Sequence, residues 1–398
     1  MSNNLHLTPV YSIMLYMSLE SRARICPVKS PEKVQTSSWV SPVEQLRVER
    51  TKGRNITEVK LDTLTDVKCD KSLVRVFDDS GMRIRFILMN PADRPSYTPQ
   101  LLKQLMAVTN NVKDINEKSG KDNPGIQFVV FGSCTPDKFN EGGDLELFKG
   151  AIETGEKSTL LRYAGICLEG NMLISTRLGT NTRTLAFVQG DALGGGFEMA
   201  LNCDAIVAEK RARAEVPEIK FNLFPGMGAF GFLARRIHPK QVEKMLRSGH
   251  TYSAEDLKKM GIVDEIADNG QGIRKIYEFL EKQKSGSGII RLADRNPIPY
   301  SSIEPDLNFG EQLLVGKENG NEGIDCARDI TFRDLTTEEI EDKKIRLRKE
   351  LKYIGEAWVD TALNLRSDPD SLRLMGVLVK AQSNTAARCQ GRRDEQPF

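Results

Sequence analysis

Stretches typical of buried β-strands alternate with stretches of helical periodicity through the middle of this chain, and this alternation restricts the fold most. Leucine, methionine and valine recur at helical spacing over residues 99–112, and the apolar run 126–131 follows. A second apolar run, 185–189, leads into a glycine turn and another helix, and a third run covers 205–208. Strand and helix in this order predict an α/β fold with a layered core.

The N-terminal part lacks this regularity. Residues 1–45 are rich in serine and proline without sustained periodicity, which predicts a disordered or loosely docked tail before a folded core at 46–283. The apolar stretch 11–17 is too short to span a bilayer, and no small-residue cleavage site follows it. We therefore expect neither a membrane anchor nor a signal peptide.

The C-terminal part divides into three predicted segments. Residues 284–341 carry Ser-Gly repeats and several prolines, which predict an insertion or linker. Residues 342–385 contain charged and amphipathic helical patterns, and 386–398 read as a polar tail.

Composition excludes several classes of function. The 57 Lys and Arg residues nearly balance the 55 Asp and Glu residues, so the formal net charge of +2 gives no global field that attracts nucleic acid or a membrane. Seven cysteines without a Cys-x-x-Cys pair indicate reduced thiols in a cytoplasmic protein, not a disulfide framework or a structural zinc site. Three histidines cannot form a His-rich metal site, so we expect no metal and no cofactor, and carboxylates become the first candidates for acid–base chemistry.

Two glycine turns are the strongest local features. The motif Gly-Asp-Ala-Leu-Gly-Gly-Gly-Phe-Glu at 190–198 follows a strand and opens a helix, where unobstructed N–H groups and the helix dipole favour negative charge. A second turn, with Gly142 and Gly143, also follows a strand and precedes a helical pattern. Each turn could supply one N–H to the same oxygen atom, as in an oxyanion hole; the alternative is two ordinary loops.

Glu218 is the second carboxylate of interest, after the glutamate that ends the 190–198 motif. It lies in a Val-Pro-Glu segment followed by Leu-Phe-Pro-Gly-Met-Gly at 223–228. A carboxylate held beside a proline among apolar residues is partly desolvated, which raises its pKa towards a range useful for acid–base catalysis. Taken alone, one glutamate in an apolar segment is more often a surface residue.

The order of these motifs resembles the crotonase superfamily of enoyl-CoA hydratases and isomerases: Gly-Gly-Asp, Ala-Leu-Gly-Gly-Gly-x-Glu, Pro-Glu and Pro-Gly-x-Gly. The resemblance implies a ClpP-like spiral of ββα units with a C-terminal helical region for trimerisation and pocket closure, and a homo-oligomer, either trimer or hexamer. It also implies that Gly143 and Gly195 form the oxyanion hole and that Glu198 and Glu218 are the catalytic pair. Both glutamates together favour a hydratase or dehydratase over an isomerase or dehalogenase.

Four segments are similar to the diffusible-signal-factor synthases, which make cis-2-unsaturated fatty acids as bacterial quorum-sensing signals. They are residues 139–148, 188–198, 223–229 and 358–362. This resemblance implies dehydration of a 3-hydroxyacyl thioester on acyl carrier protein or CoA, followed by thioester hydrolysis. It makes Phe197, Leu223 and Trp358 candidates for the wall of the substrate pocket, and a sensor-kinase receiver domain a candidate partner.

Basic residues between 210 and 247 form either a solvated face or a docking surface for an acidic carrier protein. They are Lys210, Arg211, Arg213, Lys220, Arg235, Arg236, Lys240, Lys244 and Arg247. Two other functions stay open. One is an ordinary enoyl-CoA hydratase or acyl-CoA hydrolase; the other is a regulator that binds an acyl thioester or a receiver domain without turnover, although a binder needs neither glutamate.

Overall fold

The computed structural model describes residues 39–65, 71–91, 94–119, 125–284, 336–390 and 398. The strands in these ranges are β1 (Ile56–Val59), β2 (Val74–Asp79), β3 (Ile84–Met89), β4 (Phe128–Ser133), β5 (Lys138–Asn140), β6 (Arg183–Val188), β7 (Asp191–Leu193), β8 (Ala205–Glu209), β9 (Arg213–Glu215), β10 (Tyr252–Ser253) and β11 (Glu265–Ala267). The α-helices are α1 (Pro42–Thr51), α2 (Leu61–Leu64), α3 (Pro99–Ser119), α4 (Leu145–Thr154), α5 (Lys157–Ser175), α6 (Gly195–Asn202), α7 (Ala229–Ala234), α8 (Pro239–Ser248), α9 (Ala254–Met260), α10 (Gly272–Lys284), α11 (Thr337–Asn364) and α12 (Pro369–Gln390). Short 3₁₀ turns cover Arg177–Gly179, Glu218–Phe221 and Leu365–Ser367.

The strands form two sheets. The larger has the order β1-β2-β3-β4-β6-β8-β11, antiparallel up to β3 and parallel from β3 onward. The smaller has the order β10-β9-β7-β5, in which β9, β7 and β5 run parallel. This mixed arrangement of sheets and helices confirms the predicted α/β class.

Three strands of the larger sheet are each followed by a short strand of the smaller one: β4 by β5, β6 by β7 and β8 by β9. After β5 the chain enters α4, and after β7 it enters α6. Since β5 pairs with β7, two successive ββα units place their strand-to-helix turns side by side. The two glycine turns are therefore brought to the same end of the smaller sheet.

The central strands are buried on both faces. Phe128 and Val130 belong to a cluster that includes residues of α1 and α10, whereas Val129 and Phe131 belong to the main core with α3, α5 and α6. Successive side chains point to opposite faces of a strand, which explains the alternation. A continuous apolar run is what a strand covered on both faces requires.

The first helix begins inside the stretch that the sequence predicts to be a tail. Ser41 accepts a hydrogen bond from the N–H of Glu44 (3.0 Å), and Pro42 starts α1. Val43 and Leu46 are fully buried, so the folded part starts a few residues before the predicted boundary at 46. Mostly polar residues surround this narrow apolar face, which explains why periodicity does not reveal it. Residues 1–38 of the predicted tail lie outside the described residues.

The C-terminal segments also differ from their predicted bounds. Residues 285–335 of the predicted insertion lie outside the described residues, but its end is helical because Thr336 and Glu339 form a capping box at the start of α11. The charged pattern and the first amphipathic pattern predicted in this part of the chain belong to one helix, α11. Helix α12 continues past the predicted boundary at 385. Within the described ranges, no helix is long and apolar enough to cross a membrane.

Candidate active site

The two glycine turns are in direct contact. A Cβ added to Gly142 would lie 2.8 Å from the carbonyl oxygen of Leu193 and 3.1 Å from the nitrogen of Gly195. A Cβ added to Gly195 would lie 3.6 Å from the nitrogen of Gly143. A side chain on Gly142 would push these backbones apart, so glycine at this position allows the two N–H groups to approach one another.

Hydrogen bonds on the neighbouring carbonyls orient both N–H groups. The Gly142 oxygen accepts from the N–H of Tyr97 (2.8 Å), and the Gly194 oxygen accepts from the N–H of Glu198 (3.0 Å). In a trans peptide the C=O and the following N–H point in opposite directions, so the N–H groups of Gly143 and Gly195 are aimed away from these partners. Among the described residues neither N–H donates a hydrogen bond. Two adjacent free donors are the arrangement that an oxyanion hole needs.

Glu198 lies on α6, one turn after Gly195, and its side chain is buried. Its Oε1 accepts hydrogen bonds from the N–H groups of Met227 (2.9 Å) and Ala229 (3.0 Å). Burial raises the pKa of Glu198 to about 7, and the two backbone donors oppose this rise by stabilising the ionised form. Glu198 can therefore exchange a proton near neutral pH.

Glu218 opens the 3₁₀ turn after β9 and lies beside the first glycine turn. Its Oε1 is 2.6 Å from the position that a Cβ of Gly194 would occupy. Its Oε2 is buried and has no hydrogen-bond partner among the described residues. Burial, and then the negative charge of Glu198, raises the pKa of Glu218 well above its ordinary value.

The two carboxyl groups therefore present one base and one acid near neutral pH. Glu198, with its two backbone donors, is the better place for the negative charge, and Glu218 is the better place for the proton. An oxygen held between the N–H groups of Gly143 and Gly195 would lie beside this pair. The site can remove one proton, deliver another and stabilise negative charge on an oxygen between these steps.

The sequence alone predicts no role for Met227, although this residue lies in the Pro-Gly-Met-Gly segment. Its N–H donates to Glu198, and its Sδ lies 2.8 Å from the position of a Cβ on Gly195, so the thioether covers the glycine turn of the 190–198 motif. The Met227 carbonyl accepts from Nδ2 of Asn171 on α5 (2.9 Å). Gly228, with a φ of +103°, turns the chain so that the N–H of Ala229 can also donate to Oε1 of Glu198.

Trp358 lies on α11 and packs against Phe148 and Gly226. Its ring centroid is 4.9 Å from that of Phe148, and a Cβ on Gly226 would lie 2.6 Å from its Cδ1. Phe148 in turn lies against Gly143, where an added Cβ would be 2.5 Å from its Cε2. Trp358 thus contacts the segment that holds Glu198 and, through Phe148, the glycine turn that carries Gly143.

The structure brings together the two glycines and the two glutamates that the sequence singled out. Phe197 and Leu223 are buried in the main core, with 2% and 3% of their surface exposed. Their place in a pocket wall, like that of Trp358, stays a prediction. Within the described residues, no group of three or more His, Cys, Asp or Glu side chains could hold a metal ion.

An apolar cavity of about 40 Å³ adjoins the site between α3 and α5. Met227 and Tyr97 line it together with Leu102, Leu105 and Ile166. A groove of about 360 Å³ runs between α5 and α11 and is lined by none of the predicted site residues. The paired glycines and glutamates, rather than this larger groove, therefore identify the site.

The basic cluster is not one continuous solvated face. Arg236 is buried and donates to three backbone carbonyl oxygens. Arg213 forms a bidentate pair with Asp191, and Arg235 pairs with Glu350 on α11. These arginines stabilise the fold, and Lys210 and Lys220 form ion pairs with Asp268 and Glu215. A contact between the exposed lysines of the cluster and a carrier protein stays a prediction.

Comparisons with known proteins concern the family and the fold of the chain. Residues 89–292, just over half of the chain, match the family model for enoyl-CoA hydratase/isomerase. The structure of an enoyl-CoA hydratase from Bacillus halodurans is similar with a TM-score of 0.52 and 19% identity, over 78% of this chain and 100% of that one. An enoyl-CoA hydratase from Bacillus anthracis (TM-score 0.48, 21% identity, 58% and 85% of the two chains) and DspI from Pseudomonas aeruginosa (0.46, 21%, 55% and 82%) are also similar.

The structural likeness at these identities concerns the fold, and the family match extends from the end of β3 beyond α10, across both glycine turns and both glutamates. The chain therefore belongs to the enoyl-CoA hydratase/isomerase family of the crotonase superfamily.

Proposed function

We propose that this protein dehydrates a 3-hydroxyacyl thioester carried by acyl carrier protein and then hydrolyses the thioester, releasing a cis-2-unsaturated fatty acid that serves as a quorum-sensing signal. The proposal is supported above all by one observation: two glutamates of raised pKa and two backbone N–H groups without an acceptor among the described residues are brought together in one site. The carrier protein and the cis geometry rest on the four segments that resemble the signal synthases.

In the dehydration step the thioester oxygen accepts hydrogen bonds from the N–H groups of Gly143 and Gly195. One glutamate takes the proton from C2 as a carboxylate, and the negative charge that develops on the thioester oxygen is stabilised by the two donors. The other glutamate, as a carboxylic acid, protonates the hydroxyl on C3, which leaves as water while the C2–C3 double bond forms. Each step uses a group already present in the site.

In the hydrolysis step water occupies the place of the departed hydroxyl. A glutamate carboxylate takes a proton from this water while the water oxygen attacks the carbonyl carbon of the thioester. The N–H groups of Gly143 and Gly195 stabilise the tetrahedral oxyanion that forms. The carbon–sulfur bond then breaks, and the carrier thiol leaves with a proton from the glutamate. Because the reacting atoms stay between the same residues, one site can perform both steps.

The experiment that tests the proposal gives purified protein a 3-hydroxyacyl thioester of acyl carrier protein or of CoA and identifies products by mass spectrometry. We expect a free 2-enoic acid with the cis double bond. If the product is an enoyl thioester and no free acid forms, the protein is an ordinary hydratase or dehydratase of the same family. No reaction with any such thioester would favour the non-catalytic binding protein.

The pKa shifts predict a bell-shaped dependence of kcat/KM on pH. Below about pH 7 both carboxyl groups are protonated and no base is available, so activity should rise as pH increases through the pKa of Glu198. Activity should fall again at higher pH, where Glu218 loses the proton that its burial and the charge of Glu198 help to retain. Initial rates at low substrate concentration measure this, and a rising limb near the ordinary glutamate pKa would contradict the effect of burial.

A further inference from the structure

The turn that carries Gly143 is held from outside by two different elements. The backbone N–H of Tyr97 donates to the carbonyl oxygen of Gly142 (2.8 Å). On the flanking residues, Nε2 of Gln382 donates to the carbonyl oxygens of Glu141 (3.2 Å) and Gly143 (3.5 Å). Three successive carbonyl groups of the turn are thus occupied, and the N–H of Gly143 remains the free donor.

Gln382 lies on α12, far from the turn in sequence and beyond residue 292, where the family match ends. Its side chain is 4% exposed, so its amide is withdrawn from solvent at the contact. One turn further along α12, Oγ1 of Thr385 donates to Oε1 of Glu141 (3.3 Å). The helix therefore contacts both the backbone and a side chain of the glycine turn.

The peptide between Gly142 and Gly143 needs such support. Reorienting a peptide requires changes in ψ of the residue before it and φ of the residue after it, and here both residues are glycines without a Cβ that restricts them. Gly142 already has a φ of +85°. A donor on this peptide can be aimed at a substrate oxygen only if neighbouring groups fix its orientation.

We propose that Gln382 is a positioning residue of the active site, which holds the carbonyl groups on both sides of Gly142 so that the N–H of Gly143 stays directed at the thioester oxygen. This inference rests on the proposed role of Gly143 in the oxyanion hole. It makes α12 a functional part of the site, although α12 supplies no group that contacts the substrate.

A purely structural role for Gln382 would attach α12 to the core without affecting the thioester oxygen. Such a role predicts lower stability and unchanged polarisation of a bound carbonyl. A positioning role predicts a loss in kcat with little change in KM, because the donor acts more strongly on the charged transition state than on the neutral substrate.

The test compares Gln382→Met, which keeps length and removes the donor, with Ser383→Ala, the neighbouring exposed residue whose hydroxyl bonds only within α12. Full-length variants are checked by circular dichroism and thermal unfolding. The kcat and KM are measured with the 3-hydroxyacyl thioester, and the carbonyl stretch of a bound 2-enoyl-CoA is measured by difference infrared spectroscopy. Gln382→Leu, which also lacks a side-chain donor, serves as a second variant if Gln382→Met does not fold.

We expect a decrease in kcat of about 10–100-fold in the donor-deficient variant, less than the full loss of an oxyanion donor, together with a weaker shift of the carbonyl band. Ser383→Ala should match the wild type in both measurements. Wild-type kcat and an unchanged carbonyl band in folded Gln382→Met would overturn the positioning role and leave the proposed function intact. A wild-type protein that neither turns over the thioester nor shifts its carbonyl band would instead overturn the proposed function.

Discussion

Glu198→Gln and Glu218→Gln are each expected to lower kcat by about 10²–10⁴-fold, the usual contribution of a general acid or base. Glutamine keeps the shape of glutamate, and its carbonyl oxygen at 198 can still accept from the N–H groups of Met227 and Ala229. What the amide cannot do is take up or release a proton in the required range. Steady-state rates of dehydration with the 3-hydroxyacyl thioester measure the loss.

The control for these variants is thioester binding. Because the N–H groups of Gly143 and Gly195 are unaltered, both variants should bind a non-reacting enoyl thioester nearly as tightly as the wild type, which isothermal titration calorimetry can measure. The double variant should be little worse than the poorer single variant, since residues that act as one unit are not additive. Dehydration near the wild-type rate in either variant would remove that glutamate from the mechanism.

The candidate site residues that the sequence predicts are those that lie in short motifs. Gly195 and Glu198 belong to one strand–turn–helix motif and Gly143 to another, and the order of these motifs, which resembles the crotonase superfamily, singles them out. Tyr97 and Gln382 are different, because they act on the glycine turn through contacts between distant parts of the chain. Nothing in the residues around them marks such contacts.

The same difference between local pattern and distant contacts explains which strands and helices the sequence predicts. Apolar runs such as 126–131 identify buried strands, since a strand covered on both faces leaves little choice of residue. The sequence does not predict helix α1 because its buried face includes the polar Gln45 and Glu49 beside Val43 and Leu46, which leaves little apolar periodicity. The continuity of α11 was missed as well, because its charged first half and apolar second half give two different patterns in one helix.

Gly195→Pro is expected to be as damaging to turnover as the loss of a glutamate, because it removes the proposed oxyanion donor itself. Gly195 is the first residue of α6, a position where proline is tolerated and where the N–H has no partner within the helix. The matched control is Gly195→Ala, which keeps the N–H and adds a Cβ that meets the flexible thioether of Met227 at 2.8 Å. Proline carries a Cβ too, so the difference between the two variants reports the missing N–H and the ring that replaces it.

If Gly195 supplies one of the two donors, kcat of the proline variant should fall about 10²–10³-fold below that of the alanine variant, the usual effect of losing an oxyanion donor. Circular dichroism of both variants must first match the wild type, because proline can also disturb the turn at Gly194, whose φ is +48°. Both rates are then measured with the same thioester at the optimal pH. Equal rates in folded proline and alanine variants would mean that the oxygen is held by Gly143 and another group, and that the contact between the two glycine turns serves packing alone.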